Sequence, residues 1–181
     1  MKNYINKFLI LLLMVFIYPI KSFGLIEVDI TRGNLNPLPV AVSPLSIDEK
    51  SRKSFENLIN KKNIGEEISS IVENNLKTSG LFNPLSKDAF LQAPDIANLK
   101  PRFEDWNLIK AQALITGKVT NIDNKLRVEF RLWDVLAGKE MMALAFTTVP
   151  TNWRRVGHII SDKVYERLTG EKGYFDTRII Y

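Results

Sequence analysis

The sequence contains no cysteine and only one histidine, His158, among its 181 residues. Without cysteine the chain can form no disulfide, no thiolate metal site and no thiol nucleophile. It also lacks the lipobox cysteine expected of a lipoprotein. With a single histidine, any metal site would have to be built from carboxylates alone. We expect His158 to be an ordinary surface residue, because a helical wheel places it away from the apolar stripe of its predicted helix.

Signatures of common enzyme sites are absent as well. The sequence has no Gly-x-Ser-x-Gly motif, no phosphate-binding loop and no dinucleotide-binding set of glycines. Ser43 has no evident base. Glu66 and Glu67 are adjacent and point to different sides of a predicted helix, which favours solvated carboxylates near a helix N-terminus over metal ligands. We therefore predict a protein that is not an enzyme, with no catalytic residue, cofactor or metal.

Basic residues are scarce once the N-terminus is set aside. The formal net charge of +5 comes from 25 basic and 20 acidic residues. Three of the lysines and none of the acidic residues fall in positions 1–24, so the remainder carries 22 basic and 20 acidic residues, or +2. Proteins that bind nucleic acids normally cluster Lys and Arg on one surface. The charge balance gives little reason to expect a nucleic-acid partner.

One predicted strand nevertheless places Arg127 and Arg131 on the same face as Trp133, a combination on which bases could stack. Glu129 lies between the two arginines. Alternating charges on an exposed strand face are ordinary, so we favour the interpretation without nucleic acid.

The first 24 residues have the pattern of a secretory signal peptide. Two lysines precede the apolar run FLILLLMVFIYPI at 8–20, and Ser22 and Gly24 lie at positions −3 and −1 of a small-residue cleavage site. A helix of 13 residues rises only about 20 Å, short of the roughly 30 Å hydrocarbon core. We expect export to the periplasm with cleavage near Gly24, and an uncleaved membrane anchor is the alternative.

Residues 25–37, called the arm below, open the predicted mature chain. Three β-branched residues alternate there with polar ones, a period of two that predicts a strand with one apolar face. The arm is either an edge strand of the sheet or a mobile segment that adds a strand to a partner, with main-chain hydrogen bonds supplying affinity. The predicted partner-binding residues are Ile26, Glu27, Val28, Asp29, Ile30, Thr31, Arg32 and Gly33.

The rest of the chain predicts strands and two main helices. We expect a short strand over 38–45, a polar loop over 46–62 and a helix over 63–82. Asn63 and Glu66 resemble a capping box at the start of this helix. A turn-rich segment and a short helix at 103–109 follow. Three strands form a meander over 112–149, and a helix covers 152–168 before Gly170. Trp106 and Trp153 are predicted core residues.

This order of elements predicts a two-layer α/β (α+β) domain. Its sheet is expected to be mixed, because a stretch that contains a helix joins the first strand to the meander. The domain is assigned to 38–170. Residues 171–181 form an extended tail, in which we expect Phe175, Arg178, Ile179 and Ile180 to lie loose on the surface.

Several stretches resemble the N-terminal domain of the TolB family, periplasmic proteins of the Tol–Pal system. They are EVDITRGNLNPLPVAV, SGLFNPL, ITGKVT, LRVEFRLWDVLAGKE and NWRRVGHIISDKVYERLTGEKGYFDTRI. The resemblance implies a small α/β domain that looks like the anticodon-binding domains of aminoacyl-tRNA synthetases, without a known role in RNA binding. In the family a six-bladed β-propeller follows this domain, and 171–181 would be the start of the linker into it.

The resemblance also implies partners. In the family the arm engages the inner-membrane protein TolA, and the propeller binds the outer-membrane lipoprotein Pal. The implied function is a periplasmic protein–protein interaction module that supports outer-membrane integrity and invagination during cell division. We expect the propeller to be missing from this chain, so contact with a Pal-like protein is expected only of a longer protein. The alternative is a fragment that folds but has no independent function.

Overall fold

The structure is a computed structural model that describes residues 36–177. The predicted signal peptide, all of the arm before Asn36 and residues 178–181 lie outside the described residues. Within these bounds the helices and strands are β1 (Leu38–Val42), β2 (Ser46–Ile47), α1 (Glu49–Ile59), α2 (Ile64–Thr78), β3 (Phe82–Pro84), α3 (Pro94–Leu99), α4 (Phe103–Leu108), β4 (Ala113–Ile122), β5 (Lys125–Asp134), β6 (Lys139–Thr148) and α5 (Trp153–Thr169). Short 3-10 turns lie at Lys87–Ala89 and Pro150–Asn152.

The strands form one mixed sheet in the order β3-β1-β4-β5-β6, and β2 pairs with β4 beyond the end of β1. β1 runs parallel to β3 and β4, because the chain returns through α2 and then through α3 and α4 between these strands. β4, β5 and β6 are an antiparallel meander. Asp123 and Asn124, both at positive φ, close the first hairpin in the way expected of a type I′ turn. The predicted mixed sheet, meander and α/β class are confirmed.

The main core lies between one face of the sheet and the two long helices. Every second residue of β5 faces this core and is buried, and so is the predicted stripe of α5. α2 contributes a third apolar row. These buried side chains are Leu126, Val128, Phe130 and Leu132 of β5, Trp153, Val156, Ile160, Val164 and Leu168 of α5, and Ile64, Ile68, Val72 and Leu76 of α2. The period of two in β5 and the helical period in α2 and α5 were both read correctly from the sequence.

A second, smaller core covers part of the opposite face, which the two-layer prediction did not include. α3 and α4 pack there against Ala41 and Leu114, whose side chains point away from the main core. Trp106 lies at the centre and is 1% exposed. Its Nε1 donates to Gln92 Oε1 at 2.7 Å, and the same oxygen accepts from the backbone N–H of Arg102. The predicted core role of Trp106 is confirmed, and this side-chain amide satisfies its polar edge.

The predicted loop over 46–62 is wrong, because this segment contains helix α1. Only Phe55 and Ser51 of α1 are buried, and its three apolar residues, Phe55, Leu58 and Ile59, all lie in the second half of the helix. Its start is set by Asp48, whose Oδ1 accepts from the Ser51 backbone N–H at 2.9 Å and whose Oδ2 accepts from Ser51 Oγ. The Ser51 hydroxyl oxygen in turn accepts from the backbone N–H of Asn121, which ties α1 to β4. A cap and one buried aromatic side chain therefore fix a helix that has few apolar residues.

Two predictions about α2 and α5 are also corrected. Asn63 makes no capping hydrogen bond, and its Oδ1 accepts from Arg52 Nη1 at 3.1 Å instead. His158 does not point freely into solvent, because its Nδ1 lies 2.9 Å from Asn75 Nδ2 between the two helices. The same amide nitrogen donates to Ser161 Oγ. An amide nitrogen only donates, so Nδ1 of His158 is the acceptor in this contact.

The first part of the tail is fixed on α5, so the prediction of a loose Phe175 is wrong. Asp162 accepts hydrogen bonds from the backbone N–H groups of Phe175 at 2.7 Å and Asp176 at 3.1 Å. The Phe175 ring packs against Tyr165 with a centroid distance of 5.9 Å. Arg155 Nε lies 3.1 Å from both carboxylate oxygens of Asp176. The other three residues of that prediction, 178–180, lie outside the described part of the chain.

We predict that Asp48→Ala lowers the free energy of unfolding by about 1 kcal/mol at pH 7, because α1 loses its N-cap. The hydrogen bond from the Ser51 backbone lowers the pKa of the Asp48 carboxyl in the folded protein. A lowered folded pKa stabilises the fold above the unfolded value of about 3.9, and this stabilisation is lost as the pH falls through the folded pKa. Urea unfolding from pH 7 down to pH 3 should therefore show the cost of Asp48→Ala shrinking below about pH 4.

The matched control is Glu56→Ala, an exposed position in the same helix. It should change the free energy of unfolding by less than about 0.5 kcal/mol. An equal cost for the two substitutions at pH 7 would contradict the capping role of Asp48.

We also predict that Asp162→Ala releases residues 173–176 from α5. Hydrogen bonds to a charged acceptor contribute roughly 1.5–3 kcal/mol each, so chymotrypsin should cleave after Tyr174 or Phe175 at least about tenfold faster than in the unchanged protein. Lys163→Ala, at the neighbouring exposed position, should leave the cleavage rate unchanged. Equal cleavage of both variants would show that the tail is held by other contacts.

Candidate interaction surfaces

The predicted partner-binding residues of the arm, 26–33, all lie outside the described residues. The described chain starts at Asn36 and Pro37, both exposed, and enters the sheet at Leu38. The Leu38 backbone N–H donates to the Leu81 carbonyl at 2.9 Å, and β1 then lies between β3 and β4. The arm is therefore attached at the amino end of an interior strand.

The outer edge of β6 is the longest open strand edge in the described part of the chain. β6 has ten residues and ends the strand order, whereas β3 at the opposite end has three and includes Pro84. Between Met141 and Thr147 the strand carries no charge, proline or glycine. Natural sheets normally protect such an edge with one of those features or with a covering segment.

Side chains of β6 on the main-core side are only partly covered by α5. Met142 and Phe146 are half-buried, and Leu144 is 37% exposed. Met141 is an extra residue, because Leu132 pairs with Met142 while Trp133 pairs with Glu140. The bulge is confined to the beginning of β6. Arg167 Nε donates to the Met141 carbonyl at the same place. The segment from Met142 to Phe146 is left as a regular, apolar strand edge.

On the other side of β6, small side chains leave a shallow cavity. Ala143 and Ala145 lie beside Arg131 and Glu129 of β5, and the cavity between them has a volume of about 190 Å³. Arg127 also lines it. Both arginines are paired, Arg127 with Glu129 at 2.8 Å and Arg131 with Glu140 at 3.2 Å. This face of β5 and β6 is thus close to neutral, because each arginine is paired with a carboxylate.

The geometry of Trp133 does not suit base stacking. Its Nε1 donates to Thr116 Oγ1 at 2.9 Å, and its ring packs edge-on against Phe103 with a centroid distance of 5.8 Å. Trp153 is 6% exposed, as expected of a core residue, and its ring lies beneath Lys61 and Arg154. Neither indole is available as a platform beside unpaired cations.

Two further cavities of about 320 and 330 Å³ adjoin β2, at the carboxyl end of β1. Their walls include both cations and carboxylates, among them Arg52, Glu66, Asp95 and Lys118. Among residues 36–177 no group of three or more His, Asp or Glu side chains is arranged to hold a metal ion. The helices of the same residues are all too short or too polar to cross a bilayer. Of the two carboxylates predicted to be solvated, Glu66 is exposed and Glu67 pairs with Lys61 at 2.7 Å.

The sequence reasoning missed the β6 edge. It identified EMMALAFTTV as the third strand of the meander, but strand order decides which strand is outermost. The sequence signal for an unprotected edge was the absence of charge over residues 141–147, which is unusual for an outer strand.

The chain was compared with known families and proteins. A family model described as the TolB amino-terminal domain matches residues 26–141. A curated relative, the Tol-Pal system protein TolB of Pelagibacter ubique (strain HTCC1062), is 79% identical over 171 residues. That alignment covers 94% of this chain and 38% of the relative, so this chain spans well under half the length of that protein.

Among solved structures, the crystal structure of TolB from Acinetobacter baumannii superposes with a TM-score of 0.62 at 22% identity. The match covers 84% of this chain and 33% of that one, and it supports the fold described above. The family model covers more than half of the 181 residues and includes all strands of the sheet except residues 142–148 of β6. The chain therefore belongs to the TolB amino-terminal domain family.

Proposed function

We propose that this chain is a periplasmic protein–protein interaction module of the Tol–Pal system. In this proposal the arm engages a TolA-like inner-membrane protein, and the module helps to maintain outer-membrane integrity and invagination during cell division. A Pal-like lipoprotein is a partner only of a longer protein that carries the propeller.

The observation that carries the proposal is the family match, which begins at residue 26. The alternating residues of the arm thus belong to the matched region, together with the folded domain. The 79% identity to a protein named for the Tol–Pal system supports the same assignment. No catalytic step is proposed, because partner binding accounts for the pattern of the arm without one.

Strand addition is the physical basis proposed for partner binding. An extended segment from Ile26 to Ile30 can offer a row of backbone N–H and C=O groups to a partner's open sheet edge, and its β-branched side chains then fill pockets on one face. Ordering this segment costs roughly 1–2 kcal/mol per residue in backbone entropy. Burying three such side chains contributes about 1.5–3 kcal/mol each. The balance is close, so one substitution on the apolar face should weaken binding measurably.

The test is the affinity of the chain that begins at Leu25 for the periplasmic C-terminal domain of TolA, measured by calorimetry. We expect Val28→Asp to weaken binding at least about tenfold, because a carboxylate replaces a buried methyl group in the interface. Leu136→Asp, which adds the same charge at an exposed position between β5 and β6, should bind within about twofold of the unchanged protein.

The second part of this experiment removes residues 25–36. Equal affinity with and without these residues would reject the arm as the binding segment. If the unchanged protein shows no binding at all, the alternative of a folded fragment without independent function is favoured.

A further inference from the structure

We propose that the open edge of β6 is an interface between two copies of this chain, whose residues 142–146 pair as antiparallel strands about a two-fold axis at Leu144. This stretch of β6 is regular, apolar and outermost in the sheet. An edge with these features pairs readily with another strand. A second copy of the chain fits it, because the edge is complementary to itself in backbone hydrogen bonding, apolar side chains and charge, as a two-fold interface requires.

The backbone groups of β6 that point outward belong to Ala143 and Ala145. The two-residue turn between β4 and β5 makes Ile122 and Lys125 a hydrogen-bonded pair. Bonded and non-bonded pairs alternate along an antiparallel ladder, so odd-numbered residues of β5 bond to β4 and even-numbered ones bond to β6. The even-numbered residues of 142–148 therefore bond to β5. The N–H and C=O groups of the two alanines are left for another strand.

A two-fold axis at Leu144 pairs these free groups with their counterparts. Ala143 of one copy lies opposite Ala145 of the other, and each such pair exchanges both of its backbone hydrogen bonds. The two Leu144 residues face each other across the axis as a non-bonded pair. The bulge at Met141, whose carbonyl already accepts from Arg167, ends the regular pairing on one side. The paired segment thus coincides with the regular part of the edge.

On the face toward the main core, this pairing brings apolar side chains of the two copies together. Met142 of one copy lies opposite Phe146 of the other, and both residues are half-buried in the single chain. Leu144, which is 37% exposed, lies against its own counterpart. Large apolar pairs are favourable across antiparallel strands, and so is a thioether beside an aromatic ring. The side chains that α5 covers only in part are thereby buried.

On the opposite face, the charges favour this register over its neighbours. Glu129 lies beside Ala145 and Arg131 beside Ala143 in the existing sheet. Across the interface each Glu129 is in line with Arg131 of the other copy, about 14 Å away between Cα atoms, with two small alanines between them. A slip of two residues would align Glu129 with Glu129 or Arg131 with Arg131. Both residues also have partners in their own copy, so their role is to select the register.

Helix α5 leaves room for the second copy. The axis is perpendicular to the sheet, so the helices of both copies lie on the same side of one continuous sheet. α5 contacts both β5 and β6 and therefore lies over this pair of strands, inside the edge. The distance from the middle of the pair to the axis is about 5 Å, which separates the two α5 helices by about 10 Å. This is an ordinary distance between packed helices.

The first test is the mass of the protein that begins at Leu25, measured by sedimentation from micromolar to millimolar concentration. We expect a reversible approach to twice the monomer mass. Leu144→Asp should raise the dissociation constant at least about tenfold, because it places two carboxylates opposite each other at the axis. Leu136→Asp, the same change at an exposed position outside the interface, should alter it by less than about twofold. A monomer at every concentration, or equal dissociation constants for the two variants, would overturn the proposal.

Introduced cysteines test the register independently, since the chain has none of its own. The Cα atoms of the two residues 144 would lie about 4.5 Å apart, within the range for a disulfide, whereas those of the two residues 143 would lie about 9 Å apart, beyond it. Under mild oxidation, Leu144→Cys should form a covalent dimer at least about tenfold faster than Ala143→Cys, although both positions are exposed. Equal rates, or a faster reaction of Ala143→Cys, would contradict pairing about Leu144. Neither assay contains a partner protein, so their outcomes are separate from that of TolA binding.

Discussion

The apolar layer between the sheet and helices α2 and α5 is the constraint on which the rest of the structure depends. β5 supplies its central row, with Leu126, Val128, Phe130 and Leu132 all buried. α2 contacts β1, β3 and β4, while α5 contacts β5 and β6. The two helices thus divide the sheet between them, and the outermost strand lies at the rim of the layer. The half-covered side chains of β6 follow from this arrangement, since no third long helix is available in the described residues to cover them.

Much of this fold could be predicted from the sequence, because its main elements carry strong periodic patterns. The meander, α2 and α5 each bury one regular row of side chains, and such rows are visible without a structure. α1 could not be recognised in the same way, because one buried aromatic residue, Phe55, anchors it. The capping residue Asp48 was the remaining sequence signal for the start of α1. His158 was misplaced because a helical wheel shows one helix at a time, whereas its partner Asn75 lies on another.

The candidate site was less predictable than the fold. The alternation in the arm predicts a strand, but it does not show which strand edges of the domain are open. That information lies in the strand order, which places β6 outermost. The tail illustrates the same limit, since Phe175 looks like an unattached aromatic until Asp162 is seen to hold its backbone. Local pattern therefore predicts strands and helices, whereas the edges and contacts between them become visible only in the tertiary structure.

The central claim is that the apolar layer between the sheet and helices α2 and α5 holds the fold together. Urea unfolding of the Phe130→Ala variant tests it most directly, with Leu136→Ala at an exposed position as the control. The account predicts that Phe130→Ala lowers the free energy of unfolding by about 3–5 kcal/mol, while Leu136→Ala changes it by less than about 0.5 kcal/mol. A loss of less than about 1 kcal/mol for Phe130→Ala would contradict it.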